Sequence, residues 1–211
     1  ASQAPGADGS WTSTLAGNWS ITGKWAGGTI ADGVGATAWF TNNITAARIV
    51  TVNTNSRTLG VLNIGDADNT HAFTIAANGG ANLIFTNNGG NAQLNQIATS
   101  IGDTISAPLG LSNSLDIVNA STNSLTISGG ITNATPGSWT LSNVGTGIGG
   151  VTINGIIGNG AGTIGIVQNS FNSQLTLRGA NTFTGGVIVK SGAIRGTVTN
   201  AFGAFSNLVT I

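Results

Sequence analysis

The chain has 211 residues, no net charge at pH 7, and charged side chains at only 6% of positions. So sparse a set of Lys and Arg gives no electrostatic footprint for nucleic acid or an anionic membrane surface. The absence of Cys excludes disulfides, thiolate metal sites and Cys nucleophiles, and the absence of Glu and Met, with only two Lys, argues against long helices.

What remains is a vocabulary for short strands and tight turns: 34 Gly, 29 Thr and 25 Asn, with 40% hydrophobic residues to fill a core. An all-β fold is expected. No run of 18 apolar residues occurs, so no transmembrane helix is expected. A chain without Tyr and with scattered Phe also lacks the aromatic girdles of a membrane barrel. Ala1-Ser2 at the start fits a terminus left by signal-peptide cleavage, and fits an excised fragment equally.

Residues 1–43 read as an N-terminal cap of short strands and loops. They hold four of the five Trp (Trp11, Trp19, Trp25 and Trp39) together with Asp8 and Asp32. The four Trp are candidates for two roles: closing the open end of a hydrophobic coil, or stacking on glycan rings.

From residue 44 to 211 a regular series of short strands is predicted. "IVTV" (49–52), "LGVLNI" (59–64), "FTI" (73–75) and "LIF" (83–85) come first. "LDI" (115–117), "LTI" (125–127), "WTL" (139–141), "VTI" (151–153) and "IGI" (164–166) follow. "LTL" (175–177), "VIV" (187–189) and "LVTI" (208–211) complete the series. The gaps are rich in Gly, Asn and Ser, and the Asn-Gly pairs at 78, 88, 154 and 159 are turn formers.

A sandwich and a solenoid both accommodate such spacing. Between Asp116 and Arg178 there is no charged residue. Coils stacked about 4.8 Å apart would place like charges over one another, whereas Thr and Asn hydrogen-bond up and down a ladder. A right-handed parallel β-helix with a Trp-rich N-terminal cap is therefore the preferred reading. At about 20–25 residues per turn it would have eight or nine rungs. The closing "LVTI" carries no charged or Pro-bearing cap, so a strand edge is expected there that another coil or another molecule would cover.

Chemistry-bearing residues are few. His71 is the only side chain with an intrinsic pKa near neutrality, in "GDADNTH" beside Asp66 and Asp68. The two Asp open like a calcium loop, but the Gly and terminal Glu that such a loop needs are missing, and they are weak candidates for a metal site. "GTGIGG" (145–150) matches G-x-G-x-x-G but precedes strand and turn, not a helix, and is set aside. A nucleophile elbow is absent. Thr-x-Thr pairs, the unit of a regular hydroxyl array, occur only at Thr12/Thr14, Thr182/Thr184 and Thr197/Thr199, without even spacing. No catalytic residue and no cofactor is expected.

"LTLRGANTFTGGVIVKSGAIRGT" (175–197) closely resembles the passenger-associated transport repeat, or autotransporter-associated β-strand repeat. The match rests on Leu175, Leu177, Gly179, Ala180, Asn181, Thr182, Gly185, Gly186 and Gly192. Phe183 stands where Tyr is usual, and Val187-Ile188 where Thr is common. The preceding "IIGNGAGTIGIVQNSFNSQ" and the Trp-rich "GSWTSTLAGNWSITGKWAGG" are similar to sequences found with that repeat. The resemblance implies a secreted β-solenoid of a bacterial surface protein with no catalytic function. The expected role is a stalk, scaffold or self-assembling filament subunit; the alternative is a glycan-binding adhesin module.

Overall fold

A computed structural model describes residues 6–211; Ala1-Ser2 lies outside the described residues. The chain winds into a β-solenoid of about eight turns whose strands pair in parallel throughout the three sheets. The first and longest face has nine strands: Gly9–Ser10, Thr37–Phe40, Val61–Ile64, Ala92–Gln96, Leu115–Asn119, Ser138–Asn143, Thr163–Asn169, Val187–Ser191 and Val209–Thr210. The second has eight: Gly17–Asn18, Arg48–Val52, Phe73–Ala77, Thr104–Ile105, Leu125–Ile127, Val151–Ile153, Leu175–Leu177 and Ile194–Gly196. The third has five: Arg57–Leu59, Leu83–Phe85, Leu109–Leu111, Ile131–Asn133 and Ile157–Gly160. Two single 3-10 turns, Thr22–Lys24 and Ala26–Gly28, are the only helical elements among the described residues.

Alternation of side chains along each strand builds the core. On the second face the inward column is Val50, Ile75, Ile105, Ile127, Ile153 and Leu177, each paired with the next and each fully buried. Burying an aliphatic side chain of this size contributes about 1.5–3 kcal/mol. The outward column beside it is Thr74, Thr104, Thr126, Thr152 and Thr176, five threonines in register on successive coils. Their regularity is invisible in the sequence because coil length varies: Leu175 pairs with Ile194, 19 residues on, and Gly17 with Val50, 33 residues on.

The predicted strands fall within observed ones, with two differences: of "LVTI" (208–211) only Val209–Thr210 is strand, and one predicted run divides. "LGVLNI" is two strands, on the third and first faces, broken at Gly60. A Cβ there would stand 2.7 Å from Gly35 Cα, so the corner requires Gly. Residues 1–43 contribute Gly9–Ser10, Gly17–Asn18 and Thr37–Phe40 to the two larger sheets, so this stretch runs into the solenoid without a break. The third face was largely missed: its strands "LGL", "ITN" and "IGNG" are short and rich in Gly or polar residues.

Candidate functional site

The Trp residues divide into two groups. Trp11, Trp19 and Trp25 are buried (1, 0 and 3% exposed), whereas Trp39 is half-buried on the outer side of the first face. The strand Thr37–Phe40 turns Ala38 and Phe40 inward, and alternation then forces Trp39 out. The three buried rings surround Phe40 at centroid distances of 5.6, 4.9 and 5.4 Å, and Phe40 packs on Phe73 of the next layer at 6.0 Å. Trp11 and Trp25 meet edge to face at 5.4 Å. Trp19 Nε1 donates to the Ala31 carbonyl (3.1 Å) and Trp25 Nε1 to the Trp19 carbonyl (2.8 Å). Their ring faces are covered by one another, so of the four only Trp39 offers surface to a ligand.

Asp66, Asp68, Thr70 and His71 come together at a corner between the first and second faces. Asp66 is fully buried. Its Oδ1 accepts from the Ile44 N–H (3.0 Å), and Oδ2 accepts from the N–H groups of Thr70 (3.2 Å) and His71 (2.8 Å). Burial raises its carboxyl, but these donors and the Thr70 hydroxyl outweigh that and hold it at about 2. The Thr70 Oγ1 lies 2.7 Å from both Asp68 Oδ1 and His71 Nδ1. Asp66 Oδ2 stands 3.8 Å from that same Nδ1. A relay needs the hydroxyl on one ring nitrogen and the carboxylate on the other, so this is not a nucleophile–base–acid line. Asp66 is saturated by backbone donors, and among the described residues no group of three His, Cys, Asp or Glu gathers into a metal-binding arrangement.

A buried polar column follows in the coils beyond. In register, Phe40, Ile64, Gln96 and Asn119 succeed one another, so the inward column changes from apolar to amide. Gln96 Nε2 donates to Asn119 Oδ1 (2.9 Å), and further along Asn143 Nδ2 donates to Gln168 Oε1 (3.0 Å). Asn119 and Gln168 also donate to loop carbonyls at Gly149 and Ser173. Asp103 joins this corner, 1% exposed, its backbone N–H donating to Gln96 Oε1. Its carboxylate accepts from the Phe73 N–H (2.7 Å) and the Ser100 hydroxyl (2.5 Å). Burial pushes the Asp103 carboxyl up to about 6 despite these two donors, and the negative charge of Asp66 adds to the rise. Asp103 is not visible as a site residue in the sequence, because a lone Asp ahead of a two-residue strand carries no local signal.

The repeat motif supplies stacking contacts. Leu175, Leu177 and Phe183 are buried. Asn181, 2% exposed, accepts the Ile157 N–H at 2.8 Å and donates to the Ala201 carbonyl at 2.6 Å, joining the coil before it to the coil after. Thr182 N–H donates to the Ile157 carbonyl. Gly186 has φ +77, and a Cβ on Gly179 or Gly185 would stand 2.6 or 2.5 Å from a carbonyl oxygen of the coil below. Where a sixth third-face strand would lie, this loop stands instead.

Charge is sorted along the axis. Residues 1–116 hold all six Asp and three of the six Lys and Arg, a balance of −3; residues 117–211 hold Arg178, Lys190 and Arg195 and no acid, a balance of +3.

No family model matches the chain, and neither does a curated protein or a solved structure.

Proposed function

We propose that this chain is an extracellular structural element of a bacterial surface, a stalk or scaffold without catalytic activity, of the passenger-associated transport repeat type. The observation that carries the reading is the use of its residues. Leu175, Asn181, Phe183 and the glycines of the repeat all join one coil to the next, and the threonine column continues that stacking across five layers. Right-handed winding is part of the proposal, since parallel crossovers take that hand in about 98% of cases. Protease shaving of intact producing cells, followed by detection of the chain, tests the location. Loss of the chain from intact cells supports the reading; protection until lysis overturns it.

Self-association is the second element of the proposal. Val209–Thr210 is the outermost strand of the first face, pairing with Val187–Ile188 on one side, and Phe205, Leu208 and Ile211 around it are exposed. A parallel strand with apolar neighbours accepts a further coil on its other side, and where that coil belongs to a second copy the head-to-tail contact propagates as a filament. Sedimentation across a wide concentration range checks this. A fixed monomer mass throughout removes the filament and leaves the stalk.

A further inference from the structure

The third face carries a groove on its outer side. Its volume is about 340 Å³, within the range of small-ligand sites, and it is lined by Val34, Thr58, Ile84, Thr86, Ser112 and Thr135. The groove exists for a backbone reason. Thr58, Ile84 and Gly110 occupy equivalent outward positions on successive coils, so the floor changes from Thr to Ile to no side chain at all. The loop at residues 33–35 crosses this face from an earlier coil. Gly33 N–H donates to the Thr58 carbonyl and Gly35 N–H to the Thr86 carbonyl, which fixes Val34 as a rim. Thr86 and Ser112 directly follow the paired residues Phe85 and Leu111, and so stand on adjacent rungs of the opposite rim, with Thr135 beyond.

We infer that this groove is a binding site for a short, neutral oligosaccharide lying along the solenoid axis. Three features select that chemistry. Four hydroxyl-bearing residues from four coils line one concavity, and the hydrogen bonds among the described residues engage none of their hydroxyls; Thr58, Thr86 and Ser112 are held through their backbones instead. A free hydroxyl both donates and accepts, which suits the hydroxyls of a sugar. Ile84 and Val34 give the aliphatic patch that a C–H face of a pyranose requires, between polar groups that fix its orientation. No charged side chain lines the groove, so an anionic sugar, a phosphate or a peptide carboxylate has no partner there. The lining spans four coils, about 14 Å along the axis at strand spacing. This site is separate from the Trp cluster, whose only half-exposed member, Trp39, lies on the first face.

The test is titration of the intact 20.8 kDa chain with β-1,4-, β-1,3- and α-1,4-linked glucan tetraoses and with a sialylated tetraose, read by amide chemical shifts. Two variants accompany the wild type: Thr58→Val with Ser112→Ala, which removes two hydroxyls at nearly constant volume, and Trp39→Ala. The expected result is saturable shifts at Thr58, Ile84, Thr86 and Ser112 with at least one neutral glucan and none with the sialylated probe. The hydroxyl double variant should bind about tenfold more weakly, or worse, and Trp39→Ala as the wild type does. Unperturbed spectra with every neutral glucan overturn the site, as do equal affinity in the double variant or loss of binding with Trp39→Ala alone. Protease shaving and sedimentation read the structural proposal separately, so either can fail without the other.

Discussion

Asp103 and Asp66 are acids pushed in opposite directions, and together they set a pH dependence. The Asp103 carboxyl rises from 3.8 to about 6 on folding. Between those values the folded chain keeps a proton that the unfolded chain has released, so stability falls as pH rises from about 4 to about 6, then levels. Asp66 is held at about 2, so its contribution is lost as pH falls from about 4 towards 2. Denaturant melts at fixed pH should therefore give a maximum near pH 4. Asp103→Asn should abolish the decline between pH 4 and 6 and raise stability above pH 6 by up to about 3 kcal/mol, the equivalent of its shift. An unchanged pH profile in that variant would refute the assignment. In the repeat, Asn181→Ala removes two buried hydrogen bonds and leaves the Ile157 N–H and Ala201 carbonyl without partners. A loss of about 2–4 kcal/mol is expected, measurable by the same melts.

At the scale of the element, the strands and the corners obey different rules, and the sequence displays them unequally. Most strands on the first two faces are legible because Val, Ile and Leu alternate with Thr, as at 125–127 and 151–153, whereas the polar Ala92–Gln96 and the two-residue Thr104–Ile105 are not. On the third face only "LIF" is plain, because "LGL" and "IGNG" derive their conformation from the coils above and below more than from their own propensity. Asn-Gly pairs show the same limit. Gly160, at φ +59, is the turn residue that the pair suggests, whereas Gly155 is required by proximity: a Cβ there would collide with the Gly129 carbonyl. Gly155→Ala should accordingly destabilise the fold by more than the ~1 kcal/mol of a relaxed backbone change, and Gly89→Ala, where nothing lies within 4 Å and the backbone is not left-handed, by no more than about that amount. The candidate site was still harder to read. Trp39 was grouped with three tryptophans whose rings are buried, since composition reports clustering in sequence and not which side of a strand a ring occupies. The hydroxyls of the third-face groove come from four coils, with no local pattern to announce them.

For the molecule as a whole, each coil touches chiefly the coil before and the coil after, so stability is a sum of neighbour terms. Hydrogen exchange should be slowest in the middle layers, around Leu109–Leu111 and Leu125–Ile127, and fastest at Val209–Thr210, which has one neighbour strand. Uniform protection from end to end would show instead a single cooperative unit. At the other end the ring cluster around Phe40 makes fraying costly: Trp19→Ala should lower stability by about 3–5 kcal/mol and quicken exchange in Arg48–Val52 first.

The interstrand hydrogen bonds run parallel to the long axis, and this governs what happens when the two ends are pulled apart. Tension meets those bonds one layer at a time, so the shaft peels like adhesive tape instead of shearing as a block. Each layer of 19 to 33 residues frees about 60–120 Å of thread as it lets go. A shaft built this way yields at a nearly constant low force and absorbs a sudden pull by lengthening.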